Sequence, residues 1–147
     1  MSRLREQRLW DRFSANMKRP GIKMFRVENL VGDGFPDVLV ITRQGPTTRG
    51  VVAMIELKAV EVAPVRPTTP LLGDKVGASR EQRNWHLEWT HLGGTSYFLV
   101  GIGSKQNLLV PGHFHDELNK FPLQTMELAA CAKTWDEIYT ELMMEKK

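Results

Sequence analysis

The sequence is poor in three things, and each shortage closes off a class of protein. It has one cysteine in 147 residues, Cys131, which excludes an internal disulfide framework and a cysteine-only zinc site and suits a reducing compartment. No apolar run comes near the roughly 20 residues that a membrane-spanning helix needs. Arg3, Arg5, Arg8 and Arg12 have no hydrophobic stretch behind them, so the start does not read as a secretory signal; a cytoplasmic protein with no membrane partner is expected. Net charge is scarce as well: 20 Lys and Arg against 17 Asp and Glu leave +3 with histidine neutral. Bulk charge therefore does not drive binding to a polyanion, and any nucleic-acid surface has to be local. Repeats and low-complexity segments are absent.

What is present is an ordinary globular composition, 41% hydrophobic and 25% charged, on a length that suits one domain over 1–147. The informative stretch is 32–58. Gly32-Asp33-Gly34-Phe35-Pro36-Asp37 leads into the apolar run Val38-Leu39-Val40-Ile41, a turn at Gln44-Gly45-Pro46, and Val51-Val52-Ala53-Met54-Ile55-Glu56-Leu57-Lys58. Short β-branched runs with Gly and Pro between them predict two strands joined by a hairpin. Strand side chains alternate faces, which puts Val52, Met54, Glu56 and Lys58 on one side, with Glu56 and Lys58 about 7 Å apart at their Cα atoms. A carboxylate and an ammonium on a buried face need partners, and Asp37 on the neighbouring strand supplies a second carboxylate. Two carboxylates with water and a phosphate oxygen suit Mg²⁺ or Mn²⁺, which rarely take all-protein cages. Asp33 between glycines reads as turn chemistry.

Pro36-Asp37 followed by Glu56-Leu57-Lys58 resembles the signature of the PD-(D/E)XK nucleases, and Gly34-Phe35-Pro36-Asp37 with Ser79-Arg80-Glu81-Gln82 resembles their VRR-NUC branch. The resemblance runs from about Glu6 to Val100. It implies a restriction-endonuclease-like α/β fold: an αβββαβ core over about 3–110 with a central mixed sheet flanked by helices, then a C-terminal helix within an extension over about 115–147. Stand-alone members of the branch, many of them phage-encoded, are Holliday-junction resolvases or related structure-specific endonucleases. For this chain the resemblance implies Mg²⁺ or Mn²⁺ on Asp37, Glu56 and the Leu57 carbonyl, with Lys58 orienting the nucleophilic water or stabilising developing charge. Branched DNA, a four-way junction above all, is the implied substrate. Because such a junction is two-fold symmetric, a homodimer is the implied assembly.

The rest of the chain has its own readings. Ser2 to Met17 is expected to be helical, with Trp10, Phe13 and Met17 on one stripe. Glu6 extends that stripe by a turn; it either reaches the metal site, as a first-helix glutamate often does in the family, or frays into solvent where the helix dipole favours it. Arg5, Arg8 and Arg12 form a second stripe that either tracks a phosphate backbone or is a solvated face. A strand is expected over Ile22 to Leu30, carrying Arg26 and Glu28 as an ion pair, or Glu28 as an extra ligand.

Pro64, Pro67 and Pro70 rule out regular structure across most of Val60 to Val76. With Arg66 and Lys75 this loop is read as a flap over a substrate groove, against the alternative of a tolerated surface excursion. Ser79 to Gln82 has capping-box spacing at the start of a second helix. Gln82, Trp85, Trp89 and Leu92 share a face, so Gln82 either caps the helix or orients a water or phosphate. Arg80 and Arg83 are placed to meet phosphates near this helix start.

Gly93-Gly94 ends the helix, and strands follow over Ser96 to Ile102 and Asn107 to Val110. Thr134 to Glu137 is a further capping box, opening a terminal helix with Trp135, Ile138 and Leu142 inward and Lys146-Lys147 at its end; it packs on the sheet or builds a subunit interface. His113 and His115 lack a ligand set for zinc and read as loop residues.

Three rivals accompany the junction endonuclease. One is a nuclease of the same fold that trims ends, nicks flaps or cuts specific duplex sequences. The others are a non-catalytic DNA-binding module, and a structural protein whose buried charges only pair with one another.

Overall fold

A computed structural model describes residues 2–27, 34–43 and 50–144. Three strands, β1 (Ile22–Arg26), β2 (Val38–Thr42) and β3 (Val51–Val60), pair antiparallel as a meander. β4 (Thr95–Ile102) adds to β3 in parallel, and β5 (Gln106–Pro111) turns back on β4, giving a mixed five-stranded sheet in the order β1-β2-β3-β4-β5. The parallel β3–β4 pair requires a crossover, which is made by the short helix α2 (Gly73–Val76) and α3 (Arg80–His91). α1 (Ser2–Asn16) precedes the sheet. The expected order of helix, three strands, helix, strands is thus observed.

Alternation along the strands feeds two cores. On one face Ile55 and Leu57 meet Leu9 and Phe13 of α1, together with Ile138 and Leu142 from α5 (Trp135–Met143). On the other, Phe98, Val100, Leu108 and Val110 pack under Leu71, Leu118 and Met126. The terminal helix therefore packs on the sheet. Both bonds of its capping box form, and Trp135 stacks on Phe13 at 6.1 Å between ring centroids.

Several boundaries differ from expectation. β1 is five residues long, while Glu28 and Asp33, the turn at Gln44 to Pro46, and Lys146-Lys147 lie outside the described residues. The C-terminal extension holds two α-helices, α4 (Leu123–Ala129) and α5, where one helix was anticipated. α1 buries Leu9 rather than Trp10, which is only partly covered. In α3 the residue that enters the core is His86, whereas Leu92, expected on the inward face, is 85% exposed at the helix end. The binary pattern missed this because His86 is polar; it is accommodated by a 2.8 Å hydrogen bond between Nδ1 and Ser96 Oγ and by its ring lying on Phe98.

The Pro-rich loop is fastened rather than free. Leu71 N donates to the Phe121 carbonyl, and Pro70 bridges Pro122. The turn before α3 is held by Asn119: its Oδ1 accepts from Ala78 N at 2.7 Å, and its Nδ2 donates to the Ala78 carbonyl at 2.8 Å. Gly77 is obligatory there, since a Cβ would fall 1.9 Å from Asn119 Oδ1. Losing a partner of a buried main-chain group costs about 1–3 kcal/mol each, and Asn119 serves two. Asn119→Ala is expected to lower unfolding free energy by about 2–4 kcal/mol in urea titrations; a change within error of zero removes the lock from the account.

Candidate active site

β2 and β3 are in register with Val38 opposite Ile55, so Asp37, one residue earlier, faces Glu56. Here β2 leaves the regular ladder. The Leu57 amide donates to the Asp37 side chain, Oδ2, at 2.8 Å, and the Asp37 carbonyl accepts from Val27 N at 2.7 Å. The carboxylate is thus drawn against β3 beside Glu56. Glu56 and Lys58 are almost completely buried, 2% and 6% exposed, on the face that carries Phe98 and Val100.

The N-terminus of α3 closes the group. Ser79 Oγ accepts from Gln82 N at 3.2 Å, and Gln82 Oε1 accepts from Ser79 N at 2.9 Å, completing the capping box. The same Oε1 accepts from Lys58 Nζ at 3.0 Å, while Gln82 Nε2 donates to Glu56 Oε2 at 3.0 Å. The cap therefore forms, and the same amide also bonds Lys58 and Glu56. The amide orientation is fixed by Lys58, whose ammonium only donates and so takes Oε1 as its acceptor. The other oxygen, Glu56 Oε1, is buried and has no hydrogen-bond partner.

Burial pushes the Glu56 carboxyl well above the usual carboxylate range, and the charge of Asp37 and a hydrogen bond with it push further. Lys58 opposes this rise and Glu6 adds to it. Glu6 is itself raised, first by burial; Lys58 pulls it down and Asp37 pushes it up, with Arg26 and Arg5 also pulling down. Glu6 is half-buried and within electrostatic reach of the strand residues, so the first helix does bring a third carboxyl toward them. His86, one turn beyond Gln82, is pushed down to about 3 by burial, with His115 and Lys58 contributing. It is a neutral packing residue beside the site, and only the unbroken Trp85-His86-Leu87 run marks it in the sequence.

Among the described residues, no three His, Cys, Asp or Glu side chains form a ready-made metal cluster. The Asp37–Glu56 pair nevertheless fits a hard divalent cation. Its donors are oxygens, Glu56 Oε1 is an orphaned acceptor, and the repulsion between two adjacent carboxyls is relieved by positive charge. Magnesium characteristically takes one or two carboxylates and keeps several waters.

The remaining site candidates are dispersed. Arg5 and Arg12 are partly buried and Arg8 exposed, and all three line a cavity next to the strand ends. Arg83 Nη1 donates to the Ala78 carbonyl at 2.8 Å, bracing the α3 turn, while Arg80 is exposed. Arg66 and Lys75 are exposed. Among the described residues no hydrogen bond or ion pair joins either of them to Asp37, Glu56 or Lys58. Arg26 lies over the Trp10 ring at 5.4 Å. His113 is exposed, while His115 is buried rather than a free loop residue. Cys131 is exposed, and its Sγ donates to the Leu109 carbonyl at 3.4 Å. No helix of the described residues is long and apolar enough to cross a membrane.

No family model matches the chain, and no curated protein matches it. Among solved structures it is similar to Hjc from Archaeoglobus fulgidus, a Holliday junction resolvase from an archaeal hyperthermophile. The identity is 18%, with 85% of this chain and 89% of that chain covered at a TM-score of 0.50. The likeness establishes the fold: a restriction-endonuclease-like α/β fold with a mixed sheet flanked by helices.

The raised carboxyls give a signed stability profile. Protonation is favoured in the fold, so the stability contributed by Glu56 and Glu6 is complete below the ordinary value of 4.5 and is lost as pH rises through their raised folded values. In chelator, Tm is expected to fall from weakly acidic toward alkaline pH, and Glu56→Gln is expected to flatten that fall. Mn²⁺ at a hundred times its Kd is expected to return about 2.7 kcal/mol to the wild type and nothing to Glu56→Gln. Identical pH profiles for the two proteins would refute the assignment.

Proposed function

We propose that this protein is a metal-dependent endonuclease that hydrolyses phosphodiester bonds in branched DNA, with the four-way junction as its substrate. The observation that carries the proposal is the meeting of Asp37 and Glu56 across adjacent strands, with Gln82 tying Glu56 to Lys58 through two 3.0 Å hydrogen bonds. A cluster of this kind serves no evident packing purpose. Paired apolar residues of similar volume fill such a place at lower cost.

Asp37 and Glu56, with the Leu57 carbonyl, would hold Mg²⁺ or Mn²⁺. When bound, the ion lowers the pKa of water and offsets charge on the phosphate under attack. Gln82 keeps the Lys58 ammonium on the Glu56 side of the sheet. From there Lys58 donates to an oxygen gaining negative charge, in a setting dry enough for a fixed charge to act strongly. Glu6 adds acidic character from the α1 side, its carboxyl raised by burial. The similarity in fold to a junction resolvase supports the choice of substrate.

Asp37→Asn, Glu56→Gln and Lys58→Met are each expected to slow cleavage of a synthetic four-way junction at least about a hundredfold, with junction binding retained in gel-shift titrations. Full activity in any of them ends the mechanism. Parallel assays on flap, linear and supercoiled DNA separate junction resolution from the other cutting modes.

Symmetric resolution calls for two sites related by a two-fold axis, hence a homodimer. Light scattering with junction present is expected to give twice the 16.8 kDa chain mass in addition to the DNA. One chain per junction would exclude paired cutting.

A further inference from the structure

Arg5, Arg8 and Arg12 line one pocket, a cavity of about 200 Å³ whose opposite wall is the end of β3 at Val60 and Glu61 and the turn at Gly103 and Ser104. The walls are fixed. Gly103, at φ +58, donates its amide to the Val60 carbonyl. Gly101 lets α1 lie flat on the sheet, since a Cβ there would come within 2.9 Å of Leu9 Cδ1. Arg12 is anchored by Nη2 to the Gly103 carbonyl at 2.9 Å.

The cations in this pocket are short of acceptors. Among the described residues the ion pairs are Arg19 with Asp136 and His115 with Asp116, so none involves these three arginines. Arg5 Nε and Arg12 Nε are shut off from solvent without a hydrogen-bond partner. A guanidinium with a donor left unsatisfied is costly to hold, and an oxyanion in the pocket that these side chains line offsets that cost. Glu61 is the one carboxylate in the wall; it is exposed and leaves a net positive pocket. Guanidinium groups arriving from three turns of one helix, opposite a fixed main-chain wall, match a tetrahedral anion with several acceptor oxygens.

The pocket lies near the candidate active site: Arg5 is close enough to Glu6 to act on its carboxyl, and Val60, in the pocket wall, lies two residues, about 7 Å of strand, beyond Lys58. We infer that the pocket seats a single phosphate of the bound nucleic-acid strand, next to the phosphate that is cut. The identity of the strand rests on the nuclease reading above; the anion chemistry does not.

The test has three arms, all in chelator so that cutting plays no part. Titrating the folded protein with inorganic phosphate is expected to shift the NMR signals of the Arg5 and Arg12 Nε–H groups, and chloride at equal ionic strength is not. Arg5→Gln and Arg8→Gln, which leave the Arg12 anchor in place, are each expected to weaken junction binding about ten- to a hundredfold. The double variant is expected to be no weaker than the worse single one, and to lower the salt slope of log K by about 0.9, the value for one phosphate. Junctions carrying one neutral methylphosphonate linkage, moved along the strand, are expected to show a single position that weakens wild-type binding and leaves the double variant unaffected.

Additive losses, with a slope change of about 1.8, would mean two separate surface contacts and overturn the seat. Phosphate-induced shifts with no effect on junction binding would reduce it to an adventitious ion only. Absent shifts would end it. Failure of the wild type to cut any DNA in Mg²⁺ or Mn²⁺, with these three results intact, would overturn the nuclease reading and leave the seat standing.

Discussion

The structure turns on the cost of holding two carboxyls together in a nearly dry sheet. Glu56 is shut away on β3, and Asp37 is brought against the same strand because the Leu57 amide takes its side chain as acceptor. That single bond replaces a ladder bond and ends the regular β2 pairing at Val38. Register does the rest. A slip of one residue would turn Glu56 and Lys58 into the core formed by Leu9, Phe13 and Ile138, and bring Leu57 to the site. The apolar alternation on β3 and the charge cluster are thus selected by the same register.

Topology explains why α3 completes the group. β3 and β4 are parallel, so the chain leaving the C-terminal end of β3 must return to the start of β4, and a helix that does so begins over the strand end it has just left. Side chains in its first turn therefore meet Glu56 and Lys58, in keeping with the general placement of sites beyond the carboxyl ends of parallel strands. Gln82 is the third residue of that helix, which is also the place where a capping box puts a side chain that folds back. Capping and site assembly are one interaction. Its position depends in turn on Asn119, far along the chain, which holds Ala78 immediately before the cap.

Much of this was legible in the sequence, for identifiable reasons. Asp37, Glu56 and Lys58 stand out because charge at the ends of β-branched runs is rare without a purpose, and period-two alternation assigns their faces. The capping boxes at Ser79 and Thr134 are local patterns, and both form. What was not legible depends on tertiary partners. His86 enters the core because Ser96 and Phe98 receive it, and no spacing rule announces a polar residue with a partner waiting on another element. Leu92 reads as inward by periodicity, yet the helix ends before the sheet can cover it. Asn119 looks like any polar loop residue until Gly77 is seen to make room for its side chain. For Glu6 the pattern gave the correct stripe, but only the field of Asp37 and Lys58 shows what that stripe faces.

The weak overall charge of +3 follows from this arrangement rather than opposing it. An acidic centre repels the polyanion it would act on, so cations must stand close enough to be felt through low dielectric and not merely be numerous across the surface. Lys58 meets that need inside the sheet, where Gln82 fixes its position. Arg5 and Arg12 stand at the rim, where partial burial limits screening by salt. Charge placed so near the carboxyls also tempers their mutual repulsion, since Lys58 lowers both Glu56 and Glu6, and Arg5 lowers Glu6. Positive charge where α1 meets β3 thus has a role inside the fold itself, Lys58 easing the burial of Glu56 and Lys58 with Arg5 easing that of Glu6.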